Sequence, residues 1–146
     1  MQTFITDFDM EQNAKNLDNK RLGKQHVECC QIAMCLLEKE SKWKNHPAVK
    51  MWKGYEPFLI ETYLKAILIE WEIRGFKGEK CWNHYDRLHK AVQQLRIHKY
   101  AYWQIPSWLT KDFIEAHRSN LIRKNKDYYK SKFPNTKEGL DYIWPI

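Results

Sequence analysis

Residues 18–39 read DNKRLGKQHVECCQIAMCLLEK, and this stretch decides the fold class. Asp18 and Asn19 break the chain and re-cap it, and Leu22, Cys29, Ala33 and Leu36 then recur at helical spacing. The pattern predicts a helix from Lys20 to about Lys39. His26 lies on the same stripe, where a core histidine is commoner than one lining a site. Working outward, residues 2–8 look like a short extended segment, and a weak helix runs from Asp9 or Met10 to Leu17. Downstream, Trp43-Lys44-Asn45-His46-Pro47 is a loop. Pro47 pushes His46 out of the α region and suits the first position of the next helix. That helix is expected from about Val49 to Arg74, with Trp52, Tyr55, Leu59, Tyr63, Ala66, Ile67 and Glu70 on one face. Pro57 would kink or divide it, and Gly75 would cap it.

A basic turn at residues 76–82 leads to a helix from about Trp82 to His98. Ile105-Pro106-Ser107 restarts the chain, with Ser107 as N-cap of a helix reaching about Asn125. From Tyr128 to Ile146 the chain reads as irregular but aromatic, with Asp141-Tyr142-Ile143-Trp144-Pro145 as a packed strap. The sum is an all-α fold: a single compact helical domain over residues 1–146, with a short extended N-terminal segment and an irregular aromatic C-terminal tail.

Composition agrees. A chain of 146 residues with 43% hydrophobic residues can bury a core and points to one domain. Five Gly and five Pro are too few for a sandwich of many short strands. No run of apolar residues is long enough to span a membrane, and the N-terminus carries no secretory pattern. Cys29, Cys30, Cys35 and Cys81 form no C-x-x-C pair. The adjacent pair suits neither a disulfide framework nor a zinc knuckle. The reading is therefore small buried hydrophobes in a reducing, cytoplasmic compartment, with no metal and no cofactor expected. The net charge is +7, and seven Trp, eight Tyr and six Phe make 14% aromatics. Such a balance suits a surface that neutralises phosphates and stacks bases, although aromatics also fill cores.

No phosphate loop, H-E-x-x-H or G-x-S-x-G is present. Three segments concentrate polar groups instead. In the first, Arg21, Gln25 and Glu28 share a helix face, with Lys20 and Lys24 beside them. Basic groups there can grip phosphates, and Glu28 can act as a base or steady a cation; a solvated charged face explains the pattern too. In the second, Asn45 and His46 beside Trp43 can read a base edge and stack its face, or simply cap a helix. In the third, His117, Asn120 and Lys124 share a face flanked by Arg118 and Arg123. That arrangement suits a phosphate clamp or a basic helix end near the C-terminal dipole. Asp7 and Asp9 can hold a hard cation, but a capped turn accounts for them better.

Asn45-His46-Pro47 followed by Tyr63-Leu64, Ile67, Glu70 and Arg74-Gly75-Phe76 resembles the N-H-P…Y-L-x-x-I-x-x-E-x-x-R-G-Y/F core of pyrimidine-dimer DNA glycosylases, the phage endonuclease V group. The opening Met1-Gln2-Thr3-Phe4, the Leu17 to Gln25 stretch and the HRSNLIRK…YY…YIWP ending resemble a bacterial and phage branch linked to that group. The resemblance implies an all-α fold with the N-terminal segment threaded between helices. It implies a monomeric enzyme that acts on double-stranded DNA in a bacterial or phage-infected cytoplasm and flips out a damaged or modified pyrimidine. It further implies attack by the N-terminal α-amine on the sugar C1′, assistance by a glutamate on the first long helix, and β-elimination at the abasic site. An α-amine, with an ordinary pKa of about 7.7–8.0, supplies neutral nucleophile far more readily than a lysine.

Gln2 is too bulky for ready removal of Met1, so the amine would be that of Met1. A gapless alignment on Gln25-x-Val27 puts Lys20 at the glutamate position. Asp18 or Glu28 would then substitute, or Lys20 would itself be the amine if desolvation lowered its pKa. The catalytic candidates are thus Met1, Lys20, Glu28 and Asp18. The binding candidates are Arg21, Lys24, Gln25, Asn45, His46, His117, Arg118, Asn120 and Lys124. A non-catalytic nucleic-acid-binding module, or an enzyme acting on a nucleotide or modified base, is the alternative.

Overall fold

The computed structural model describes residues 1–38, 41–97 and 102–145, so the expected helix ends at Lys39 and His98, and the last residue of the tail, lie outside the described residues. Helix α1 (Met10–Asn16) begins where Asp9 accepts the Glu11 amide at 3.0 Å, and Asp7 in turn accepts the Asp9 amide. The two acidic side chains therefore build a turn. Helix α2 (Asn19–Glu38) starts at Asp18, whose carboxylate accepts the Arg21 amide. Its buried positions are Leu22, Gln25, Cys29, Ile32, Ala33 and Cys35, three or four residues apart as expected.

The long helix expected over 49–74 is divided. Helix α3 (Pro47–Trp52) opens with Pro47 behind the His46 N-cap, as read from the sequence. It stops because Gly54 takes φ +90°, which side-chain-bearing residues seldom adopt. Pro57 then falls in the first turn of α4 (Glu56–Phe58), where its missing N–H costs nothing. The glycine, not the proline, makes the break. The chain continues through a π-helical segment (Leu59–Leu64) into α5 (Lys65–Ile73), which Gly75 ends at φ +88°.

Helix α6 (Glu79–Ile97) starts one turn before the expected Trp82. Helix α7 (Lys111–Lys124) is capped by Thr110, which accepts the Phe113 amide, and not by Ser107. Ser107 instead hydrogen-bonds the Tyr55 hydroxyl across the loop. The tail contains one more helix than its irregular reading allowed, α8 (Lys126–Lys132), started by Asn125 accepting the Tyr128 amide. Beyond Phe133 it runs without regular structure, and Tyr142 and Trp144 pack onto the core.

The all-α expectation holds, and the described residues contain no strand. Helix α2 sits at the centre, touching α3, the π segment, α5 and α6. Trp52, Tyr63, Phe113 and Tyr129 are fully buried around it. Arg74 fastens α1 to this body. Its guanidinium holds Glu70 at 2.9 Å, Asn19 at 3.0 Å, and the carbonyls of Ala14 and Lys15 at 3.2 Å each. Those carbonyls lie at the end of α1, where the Ala14 carbonyl also accepts the Leu17 amide at 3.2 Å. No described helix is long and apolar enough to cross a membrane.

Residues 2–6 are all buried, yet they belong to no sheet. Side chains replace the missing strand partner. Gln25 Oε1 accepts the Phe4 amide at 2.7 Å, His117 Nδ1 accepts the Ile5 amide at 3.0 Å, and Asn13 Oδ1 accepts the Thr6 amide at 2.6 Å. The Phe4 carbonyl accepts from Tyr63 and Asn13, and the Thr6 carbonyl from Arg118. Trp52 donates its indole N–H to the Thr3 hydroxyl. Asn13→Ala orphans the Thr6 amide and removes a donor from Phe4. The expected loss is about 1–3 kcal/mol, read as a lower urea midpoint with unchanged slope; an unaltered midpoint would contradict this arrangement.

Candidate active site

The Gln2 amide donates to Glu28 Oε2 at 3.1 Å. This bond fixes a carboxylate one residue from the chain's first nitrogen. His46 faces the same end of the chain: burial, and then the ammonium charge of residue 1, hold its imidazole below the ordinary value. His46 also caps α3, with Nδ1 accepting the Ala48 amide at 3.0 Å. Residue 1, Glu28 and His46 therefore come from three separate parts of the chain to one place.

Lys124 lies within electrostatic reach of Glu28 and of three other cations. Lys124 is lowered from the usual lysine range by burial, then by the charges of Arg21 and Lys24, against the opposing pull of Glu28; Arg123 adds to the repulsion. Tyr142 is raised by burial, with Arg123 and Arg21 pulling it down and Glu28 pushing it up. Arg21, Lys24 and Glu28 follow the i, i+3, i+7 pattern of one helix face, while α7 brings Arg123 and Lys124 across to them. Four cations around one carboxylate make a strongly positive patch suited to phosphates.

One wall is aromatic. Trp43 meets His46 edge-on at 6.1 Å, and His46 meets Trp144 edge-on at 6.2 Å. Trp144 then lies 5.6 Å from Tyr142, which lies 6.2 Å from Phe4. Trp43 remains 45% exposed, with the Lys42 ammonium over its ring 5.4 Å from the centroid. The carboxamide nitrogens of Gln2 and Gln25 are buried without a hydrogen-bond partner among the described residues.

The remaining sequence candidates sit elsewhere or have other tasks. Lys20 is exposed on the first turn of α2, eight residues and about 12 Å along the axis from Glu28. The Asp18 carboxylate is occupied as a helix cap and accepts a short bond from the Tyr129 hydroxyl. Gln25, His117 and Asn120 are buried rather than presented to a ligand. Gln25 and His117 hold the N-terminal segment, and Asn120 donates to the carbonyls of Ala116 and Leu140. Arg118 serves Thr6 and lies over the Phe133 ring at 4.9 Å. Asn45 lines a separate groove of about 420 Å³ with Lys44, Lys50 and Lys53. Tyr142, Trp144 and Gln2 are absent from the sequence candidates. Their part depends on long-range contacts, for which the DYIWP strap was the sole signal.

The family model described as pyrimidine dimer DNA glycosylase matches residues 1–84, more than half of the 146. The chain belongs to that family. No curated protein and no solved structure matches it significantly. The pyrimidine dimer DNA glycosylase match takes in the N-terminal segment, Arg21, Lys24, Glu28 and His46. Arg123, Lys124, Tyr142 and Trp144 reach the same place from beyond it.

His117 links this site to pH. Burial among the rings of Phe4, Phe113 and Tyr142 lowers its imidazole from 6.5 to about 3. The unfolded chain takes up this proton below about pH 6.5 and the folded chain does not. Stability is thus fully present above about pH 6.5 and falls as the pH drops towards 3, by up to about 1.4 kcal/mol per pH unit. His26 and His46, also lowered by burial, act in the same direction. His117→Asn keeps an acceptor for Ile5 without the titration. Its stability should decline less steeply between about pH 6 and pH 4 in urea titrations; a slope equal to that of the parent would contradict the assignment.

Proposed function

We propose that this member of the family is a DNA glycosylase with abasic-site lyase activity, acting on a damaged or modified pyrimidine in double-stranded DNA. The α-amine of residue 1 is its nucleophile and Glu28 the assisting carboxylate. The observation that carries this reading is the hydrogen bond from the Gln2 amide to Glu28, which sets a carboxylate beside the first residue.

The neutral amine attacks C1′ of the target nucleotide. The C1′–N glycosidic bond breaks, and its electron pair leaves with the base, which takes up a proton. Glu28 stabilises the positive charge that develops at C1′ and accepts the proton the amine sheds. The C1′–O4′ bond then opens with a proton going to O4′, leaving a protonated Schiff base. Loss of a C2′ proton expels the 3′ phosphate by β-elimination, and water releases the amine. Arg21, Lys24, Arg123 and Lys124 grip the flanking phosphates. Trp43, His46 and Trp144 offer faces against which an extruded base or its neighbour stacks.

Borohydride trapping on labelled duplexes tests this directly. The panel holds cyclobutane dimers, abasic sites, hydroxymethylated pyrimidines and undamaged controls. A covalent adduct on residue 1 is expected. Glu28→Gln should slow base release by about 10²-fold or more, and Lys20→Ala should leave it unchanged. An adduct on Lys20, or salt-sensitive binding with neither adduct nor base release on any duplex, would overturn the proposal. Arg21→Ala should weaken DNA binding and lower the slope of log K against log salt by about one; an unchanged slope would remove Arg21 from the phosphate contacts.

A further inference from the structure

On the side of α2 away from Glu28, three ligating side chains meet and a fourth lies beside one of them. His26 and Glu28 are two residues apart, about 200° around the helix, so this cluster is separate from the site described above. His26, Cys30 and His84 each bring a ligating atom to within 4.8 Å of the others. Cys81 joins them, with its sulfur 3.7 Å from His26 Nδ1. The His26 and His84 rings stack in parallel, 5.6 Å apart with 3° between their planes.

We propose that His26, Cys30, Cys81 and His84 form a structural site for a zinc-like divalent cation. This assignment is independent of the glycosylase reading. Two thiolates and two imidazoles are a donor set that selects tetrahedral zinc. With Zn–S about 2.3 Å and Zn–N about 2.0–2.1 Å, tetrahedral geometry puts neighbouring S and N donors about 3.6 Å apart. The Cys81–His26 separation of 3.7 Å is close to that.

The other two cysteines are engaged elsewhere. The Cys29 thiol donates to the Leu59 carbonyl, and Cys35 contacts the Ser41 hydroxyl. The cluster reads H-x-x-x-C on α2 and C-x-x-H on α6. Each spacing is about one helical turn, which puts both ligands of a pair on one face. Four protein ligands leave no open coordination position, so the ion would cross-link α2 to α6 and hold the helix that carries Glu28. His84 is exposed, which gives an ion a route in.

The test uses the full chain, purified and kept reduced. Elemental analysis is expected to find one zinc per chain. Cobalt(II) in its place should give thiolate charge-transfer and tetrahedral d–d absorption, and a chelator should lower the melting temperature. Cys30→Ser and Cys81→Ser should each lose the cobalt–thiolate signal, while Cys35→Ser should keep it. His84→Ala, at an exposed position where folding tolerates the change, should weaken zinc binding more than about tenfold with an unchanged circular-dichroism spectrum. Folded, reduced chain that holds no zinc and shows no thiolate absorption on titration with cobalt would overturn the proposal. So would absorption that survives both Cys30→Ser and Cys81→Ser, or a cysteine pair that forms only a disulfide under all conditions.

Discussion

A buried extended segment without a neighbouring strand is the constraint on which this structure depends. Buried backbone N–H and C=O groups need partners, and here no sheet supplies them. Residues 2–6 obtain them from Glu28, Gln25, His117, Asn13, Tyr63 and Arg118. Those side chains come from α1, α2, the π segment and α7. The segment is thereby a central pin, and the helices around it are oriented by what they must donate to it or accept from it.

Several polar residues that look like reagents are consumed by this task. Gln25 and His117 have the types and spacing of ligand-binding residues, yet both are enclosed and bonded to the chain's own amides. Their contribution to chemistry is positional. By holding Phe4 and Ile5 they determine where residue 1 emerges, between Glu28 and His46. Helix α2 divides its circumference accordingly. One face holds the segment, a neighbouring face presents Arg21, Lys24 and Glu28, and the far face meets α6 through His26 and Cys30.

Much of the fold was legible because its signals are local. The stripe of α2, the Pro47 start, the Gly75 stop and the extended first residues all follow from neighbours in sequence. Errors arose where two local signals competed. Gly54, rather than Pro57, divides the third expected helix, because a proline in a first turn is harmless. Thr110 outcompetes Ser107 as a cap because Ser107 is held by Tyr55. At the site, the helix-face rule brought Arg21 and Glu28 together, but which α2 side chain meets the Gln2 amide depends on the path of residues 1–4. The gapless comparison that favoured Lys20 had no information about which α2 residue meets Gln2. Likewise Tyr142, Trp144 and the meeting of Cys30 with His84 depend on contacts between distant parts of the chain. Composition and spacing carry no such record.

Amide hydrogen exchange of residues 2–6, followed residue by residue in the intact chain, is the most direct test of the central claim. If side chains hold the segment as described, the Phe4 and Ile5 amides exchange as slowly as those in the middle of α2, close to the limit set by global unfolding. Exchange of Phe4 and Ile5 at the rate of an unstructured peptide, with α2 still protected, would contradict it.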